Sequence, residues 1–120
     1  MKIRIKGNSV RFRLTKTEVA LFCKKGEFIE TTQFTTKKLS YALKVKSGIT
    51  LPEADFVGDL ITIYMPEKVQ ATWATDSVIG YSNKVDWNNE NALSILVEKD
   101  FTCLDNTVED QSDNYPNPKL

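Results

Sequence analysis

Apolar and charged residues alternate from the second position onward: Ile3 and Ile5 are interleaved with Lys2, Arg4 and Lys6, and Val10, Phe12 and Leu14 with Arg11 and Arg13. A period of two on both sides of Gly7-Asn8 predicts a β-hairpin closed by a two-residue turn. The period then lengthens, so that Val19, Phe22 and Cys23 fall on one face of a short helix. Thr15 or Thr17 can cap its start, and Lys24, Lys25 and Gly26 suit its end. Strands near residues 28–34 and 39–46 follow, and Ser47-Gly48 marks a turn.

The remainder repeats this order. Residues 49–57 and 60–65 read as strands about a Gly58-Asp59 turn. Pro66 opens a helix as its first residue, with Val69 and Trp73 on its apolar stripe, and strands follow near 78–85 and 93–101. A shift of 51 residues places Gly7 on Gly58, and Val10, Phe12 and Leu14 on Ile61, Ile63 and Met65; it also places Thr15 on Pro66, Phe22 on Trp73 and Phe28 on Ile79. These are matches of residue class in register, and they suggest two strand-strand-helix-strand-strand units, 1–48 and 49–104. The expected fold is a single α+β domain over 1–104, mostly antiparallel sheet of about eight strands with two short helices. Its sheet would be one long curved surface or a partly closed barrel. Residues 105–120 differ: acidic, proline-containing and poor in apolar residues, they read as a tail that is extended unless docked, with Tyr115 as its anchor.

Charge changes this picture. Residues 1–46 hold twelve of the sixteen Lys and Arg residues but only the carboxylates Glu18, Glu27 and Glu30, an excess of nine positive charges that the remaining residues balance. A formal net charge of zero therefore conceals a basic first half and an acidic second half. Two consequences are open: a cationic face that recruits an anion, or two halves that neutralise each other through pairs such as those with Glu53, Asp55 and Asp59.

Composition removes several chemistries. With no histidine in the chain, Ser/His/Asp and Cys/His triads, histidine-ligated metals and an imidazole switch are all excluded. Cys23 and Cys103 lack a CxxC neighbour and read as reduced thiols, Cys23 in the core and Cys103 at the end of the last strand beside Lys99. No apolar run approaches the ~20 residues of a membrane span, so a cytoplasmic protein with no cofactor and no membrane partner is expected.

The opening MKIRIKGNSVRFRLTKTEV and the closing LVEKDFTCL followed by EDQSDNYPNP together resemble a family of small uncharacterised bacterial proteins that carry these blocks at their two ends. The resemblance covers the whole chain and implies an intracellular single-domain protein of unknown function. It supplies no catalytic residues.

Three groups of residues are candidates for function. Lys2, Arg4, Lys6, Arg11 and Arg13 lie on one side of the first hairpin and form a cationic surface able to hold phosphates, although Phe12 points to the opposite side and offers no stacking platform for bases. Were the sheet a closed barrel with these residues inside, it would form a phosphate-binding tunnel. The tail acids Asp105, Glu109, Asp110 and Asp113 offer oxygen ligands for a divalent cation, without the spacing of an EF-hand, and could instead lie across the basic hairpin. Trp87, in the polar run 84–91, is either a partner contact or a cap on the sheet end. The reading is of a non-enzymatic binding or protein-interaction domain, with a protein partner or homodimer. The alternatives are an anion or nucleic-acid binder using the basic hairpin, and a carboxylate-based metal-dependent enzyme.

Overall fold

The computed structural model describes residues 1–88, 91–101 and 112–116, apart from the side chains of Trp87 and Asn88. The elements run β1 (Lys2–Lys6), β2 (Ser9–Leu14), α1 (Lys16–Lys25), β3 (Glu27–Gln33), β4 (Lys38–Lys46), β5 (Glu53–Val57), β6 (Leu60–Pro66), α2 (Glu67–Thr72), β7 (Gly80–Asn88) and β8 (Asn91–Lys99). The protein is thus mostly sheet with two short helices, as the alternation predicts.

Each hairpin forms for a local reason. Gly7 and Gly58 take positive φ in the two-residue turns Gly7-Asn8 and Gly58-Asp59, a conformation that matches the twist of the flanking strands. Thr15 is the N-cap of α1 and shares a reciprocal capping box with Glu18, while Gly26 ends the helix in the left-handed region at φ 77°. Pro66 differs from expectation: it closes β6 and is the N-cap of α2 rather than its first residue, because its ψ of 148° is extended. The strand expected over 49–57 starts only at Glu53; residues 49–52 end in Pro52, which has no N–H to give a ladder.

The hairpins assemble into two four-stranded sheets, ordered β1-β2-β8-β7 and β3-β4-β6-β5. One long curved sheet and a closed barrel are both ruled out by this arrangement. Four of the six strand pairings are antiparallel, but the central pairs β2/β8 and β4/β6 are parallel. The expectation of antiparallel pairing held within hairpins and failed between them, since the two hairpins in each sheet come from opposite halves of the chain. Exchanging β1, β2, β3 and β4 for β5, β6, β7 and β8 converts one strand order into the other. Phe12 pairs with Val97 in one central parallel pair and Ile63 with Leu43 in the other. Phe28 stands opposite Leu43, and Tyr81 opposite Val97.

The apolar faces of the sheets enclose the core. Phe12 of one sheet and Tyr41 of the other approach with ring centroids 5.7 Å apart, and Leu14, Leu43, Ile63, Met65 and Val97 are fully buried around them. The helices cross from one sheet to the other and close one end with Val19, Phe22 and Trp73, all fully buried. Trp73 satisfies its indole N–H on the Val78 carbonyl at 2.9 Å. The helices meet where the Gln70 side chain donates to the Cys23 carbonyl at 3.2 Å, close against Gly26, whose added Cβ would lie 3.2 Å from Gln70 Nε2. Gly26→Ala should therefore lower unfolding free energy by about 1–2 kcal/mol from the left-handed backbone alone, with any displacement of Gln70 adding to it. Urea denaturation of the two proteins measures this directly.

Candidate functional site

The register of the first sheet decides where the basic residues point. Lys2 pairs with Arg13, Arg4 with Arg11 and Lys6 with Ser9, so all five cations share the face opposite Ile3, Val10, Phe12 and Leu14. That face is the outer one. It excludes the tunnel with inward-facing cations. The parallel pairing with β8 continues the rows through Ser94, Leu96 and Glu98, and β7 adds Lys84, Ser82 and Gly80.

Two ends of this face differ in charge balance. Near the helices, Arg13 Nε and Arg11 Nη1 lie 3.3 and 3.6 Å from Glu98 Oε1; Lys2 and Arg13 lie 3.2 and 3.6 Å from the carboxylate of Asp100. Glu98 and Asp100 stand where Glu53, Asp55 and Asp59 were expected as partners. Glu53 and Asp55 sit on β5 of the other sheet, and Glu53 and Asp59 pair instead with Lys46 and Lys37, each at 3.0 Å. Gly80 gives Glu98 room, since a Cβ there would stand 2.8 Å from Glu98 Cβ.

At the Gly7-Asn8 end, no described carboxylate approaches within ion-pair distance of Arg4, Lys6 or Lys84. These three cations, with Arg11 and the hydroxyls of Ser9, Ser82 and Ser94, line an open concavity of about 480 Å³ with Leu96 on its floor. Arg11 Nε is buried without a hydrogen-bond partner. Cations around a shallow basin suit an anion through charge-assisted hydrogen bonds; Arg4, Lys6 and Lys84 have no described carboxylate competing for them, Arg11 is shared with Glu98 at 3.6 Å, and the Ser9 hydroxyl donates to the Lys6 carbonyl at 2.8 Å. The volume lies within the range of small-ligand sites.

A family model matches residues 1–119. The chain belongs to a family of unknown function (DUF7009). The two terminal blocks that suggested an uncharacterised family thus lie inside one continuous match. No curated protein and no solved structure matches the chain.

The other candidates fall elsewhere. Asp105, Glu109 and Asp110, together with Cys103, lie outside the described residues, as does the side chain of Trp87, whose backbone belongs to β7. Asp113 is bound to the first turn of α1 rather than to the basic hairpin: it accepts from Thr17 Oγ1 at 2.9 Å and Thr17 N at 3.3 Å, and its carbonyl accepts from Lys16 N. Tyr115 holds the same segment against β8, its ring 6.0 Å from Phe101 and its N–H on the Asp100 carbonyl. Among the described residues no three His, Cys, Asp or Glu side chains form a group able to hold a metal, and no helix is long and apolar enough to cross a membrane. Cys23 is a free thiol at the edge of the core, its pKa raised by burial. Lys99 is buried at the inner end of β8, donating to the Asp76 carbonyl at 2.9 Å and facing the rings of Trp73 and Tyr115.

Hydrogen bonds from Thr15 and Thr17 hold the Asp113 carboxyl below the usual carboxylate range. A depressed folded-state pKa contributes stability above the unfolded value, near 3.9, and loses it as pH falls through the folded value. Asp113→Ala should accordingly lower the Tm at neutral pH, with the difference from wild type shrinking once the pH drops below about 4; thermal unfolding across that range reads it.

Proposed function

We propose that the protein is a non-enzymatic anion-binding domain whose site is the turn-proximal half of the outer face of the first sheet. The carrying observation is the segregation of cations on one face: Lys2 and Arg13 are neutralised by Glu98 and Asp100, whereas Arg4, Lys6 and Lys84 have no described carboxylate partner and meet Arg11 around a concavity. Lysines and arginines on an edge strand also deter unwanted strand pairing, which accounts for β1. It does not account for Arg11, which is on the interior strand β2; its Nη1 lies 3.6 Å from Glu98, and its Nε, like that of Arg13, is buried without a hydrogen-bond partner.

The two halves are read as copies of one strand-strand-helix-strand-strand unit. The interchangeable strand orders support this, as does a hydrogen bond that recurs in both sheets: Ser94 N–H to the Asn8 carbonyl, and Ser40 N–H to the Asp59 carbonyl. In the second copy the positions of Lys2 and Arg4 hold Glu53 and Asp55, so the basic site would belong to one copy only.

Exposed Ile5, Phe56 and Val57 favour a second reading as a protein-interaction domain, since Ile5 and Phe56 line an apolar concavity of about 240 Å³ between the β1-β2 and β5-β6 hairpins. Under it, the protein should self-associate with rising concentration in sedimentation equilibrium and Phe56→Ser should abolish this; a monomer at all concentrations removes the homodimer.

For the anion site, calorimetric titration with inorganic phosphate and pyrophosphate should show binding that weakens strongly between about 50 and 200 mM salt, as screening shortens the reach of exposed charges. The double variant Arg4→Ala, Arg11→Ala should reduce affinity at least tenfold with its circular dichroism unchanged. Absence of binding at low salt would remove the proposal.

A further inference from the structure

We propose that the natural occupant of this basin is a compact molecule with two separated anionic groups, such as a bisphosphorylated metabolite, rather than a nucleic-acid strand. The inference rests on the anion-site reading and follows from how its donors are spaced. One row across the sheet reads Lys6, Ser9, Ser94, Lys84, and the next reads Arg4, Arg11, Leu96, Ser82. Neighbouring strands lie about 4.8 Å apart, so the backbones carrying Lys6 and Lys84 are roughly 14 Å apart across the sheet. Positive charge thus stands on both flanks, three cations on the β1-β2 side and Lys84 on β7, with only hydroxyls and one leucine between them.

A single phosphate can engage one flank. The second flank gains an ion pair only if the ligand carries another negative group, and the serines between suit the hydroxyls of a polar spacer. Against a polymer stand two observations. The free cations do not continue along the face, because Glu98 and Asp100 occupy its helix-proximal end, so a strand tracking across the sheet would meet carboxylates within two residues of Arg11. No described residue lining the basin is aromatic, whereas sequence-tolerant binding of single strands relies on aromatic stacking platforms.

Lys84 distinguishes this inference from the broader one. Calorimetric titrations of the full chain and of its Lys84→Ala and Arg4→Ala variants would use inorganic phosphate, fructose 1,6-bisphosphate and a single-stranded DNA 12-mer as probes. The bisphosphate should bind at least tenfold more tightly than phosphate. Lys84→Ala should weaken the bisphosphate more than phosphate and so erase that advantage, whereas Arg4→Ala should weaken both. Equal affinity for phosphate and bisphosphate, or indifference of the bisphosphate to Lys84→Ala, overturns the two-ended ligand and leaves the anion site standing. Tighter binding of the 12-mer than of the bisphosphate, with a steep salt dependence, overturns it in favour of a polymer. No heat with any probe overturns the anion site itself.

Discussion

The register of β2 between β1 and β8 is the constraint on which core and surface both depend. Because side chains alternate strictly along a strand, the pairing that buries Val10, Phe12 and Leu14 necessarily exposes Ser9, Arg11 and Arg13. A slip of one residue would drive two guanidinium groups into the space between the sheets and expose a phenyl ring. The penalty for an unpaired buried charge is several kcal/mol, so the packing of Phe12 against Tyr41 and the outward array of cations are one event rather than two. The same register aligns Ser94 and Leu96 with Ser9 and Arg11, which is how donors from three strands come to share one basin.

The exchange of hairpins between sheets makes the fold collective. Neither β1-β2 nor β7-β8 is stable as an isolated hairpin in water, and their shared sheet forms only when residues 9–14 find residues 94–99. Both helices act as bridges from one sheet to the other, so Phe22 and Trp73 are buried only once both sheets are present. The charge imbalance along the sequence is resolved within faces: Glu98 and Asp100 serve the basic half of the chain, while Lys37 and Lys46 serve the acidic carboxylates of β5 and its turn. Neutralisation between halves thus occurs in both sheets, and on the outer face of the first it is partial and confined to the helix-proximal end.

Local features were legible in the sequence because their causes are local. The glycine turns, the Thr15/Glu18 capping box, the Gly26 terminus and the alternation of β2 involve residues within a few positions of one another. The single face shared by Lys2, Arg4, Lys6, Arg11 and Arg13 follows from that alternation and one turn. Pairing between β2 and β8 is a contact across some eighty residues and leaves no local trace, which is why the partners of Arg11 and Arg13 were sought at Glu53, Asp55 and Asp59. Lys84, Ser82 and Ser94 were missed for the same reason. A faint signal existed in Lys84 as one of few cations in an acidic half, alternating with Tyr81, Asn83 and Val85, but only the parallel join places it opposite Lys6.

Asp100 joins the two features that the sequence presents separately, the basic hairpin and the acidic end of the chain. Its side chain is nearly buried and takes Lys2 and Arg13; its N–H donates to the Leu14 carbonyl at 2.8 Å, and its own carbonyl accepts from Tyr115 N–H at 2.8 Å. One residue therefore ties β1, β2 and segment 112–116 to the end of β8. The arrangement explains why the helix-proximal cations are spent on structure. An aspartate held between the core and the outer face needs a compensating positive charge, and Arg13, directly across the ladder at Glu98 and adjacent to Asp100, is placed to supply it. With those cations committed, the cations without a described carboxylate partner lie at the turn end, and the position of the basin follows from the electrostatic demands of the opposite end of the same sheet.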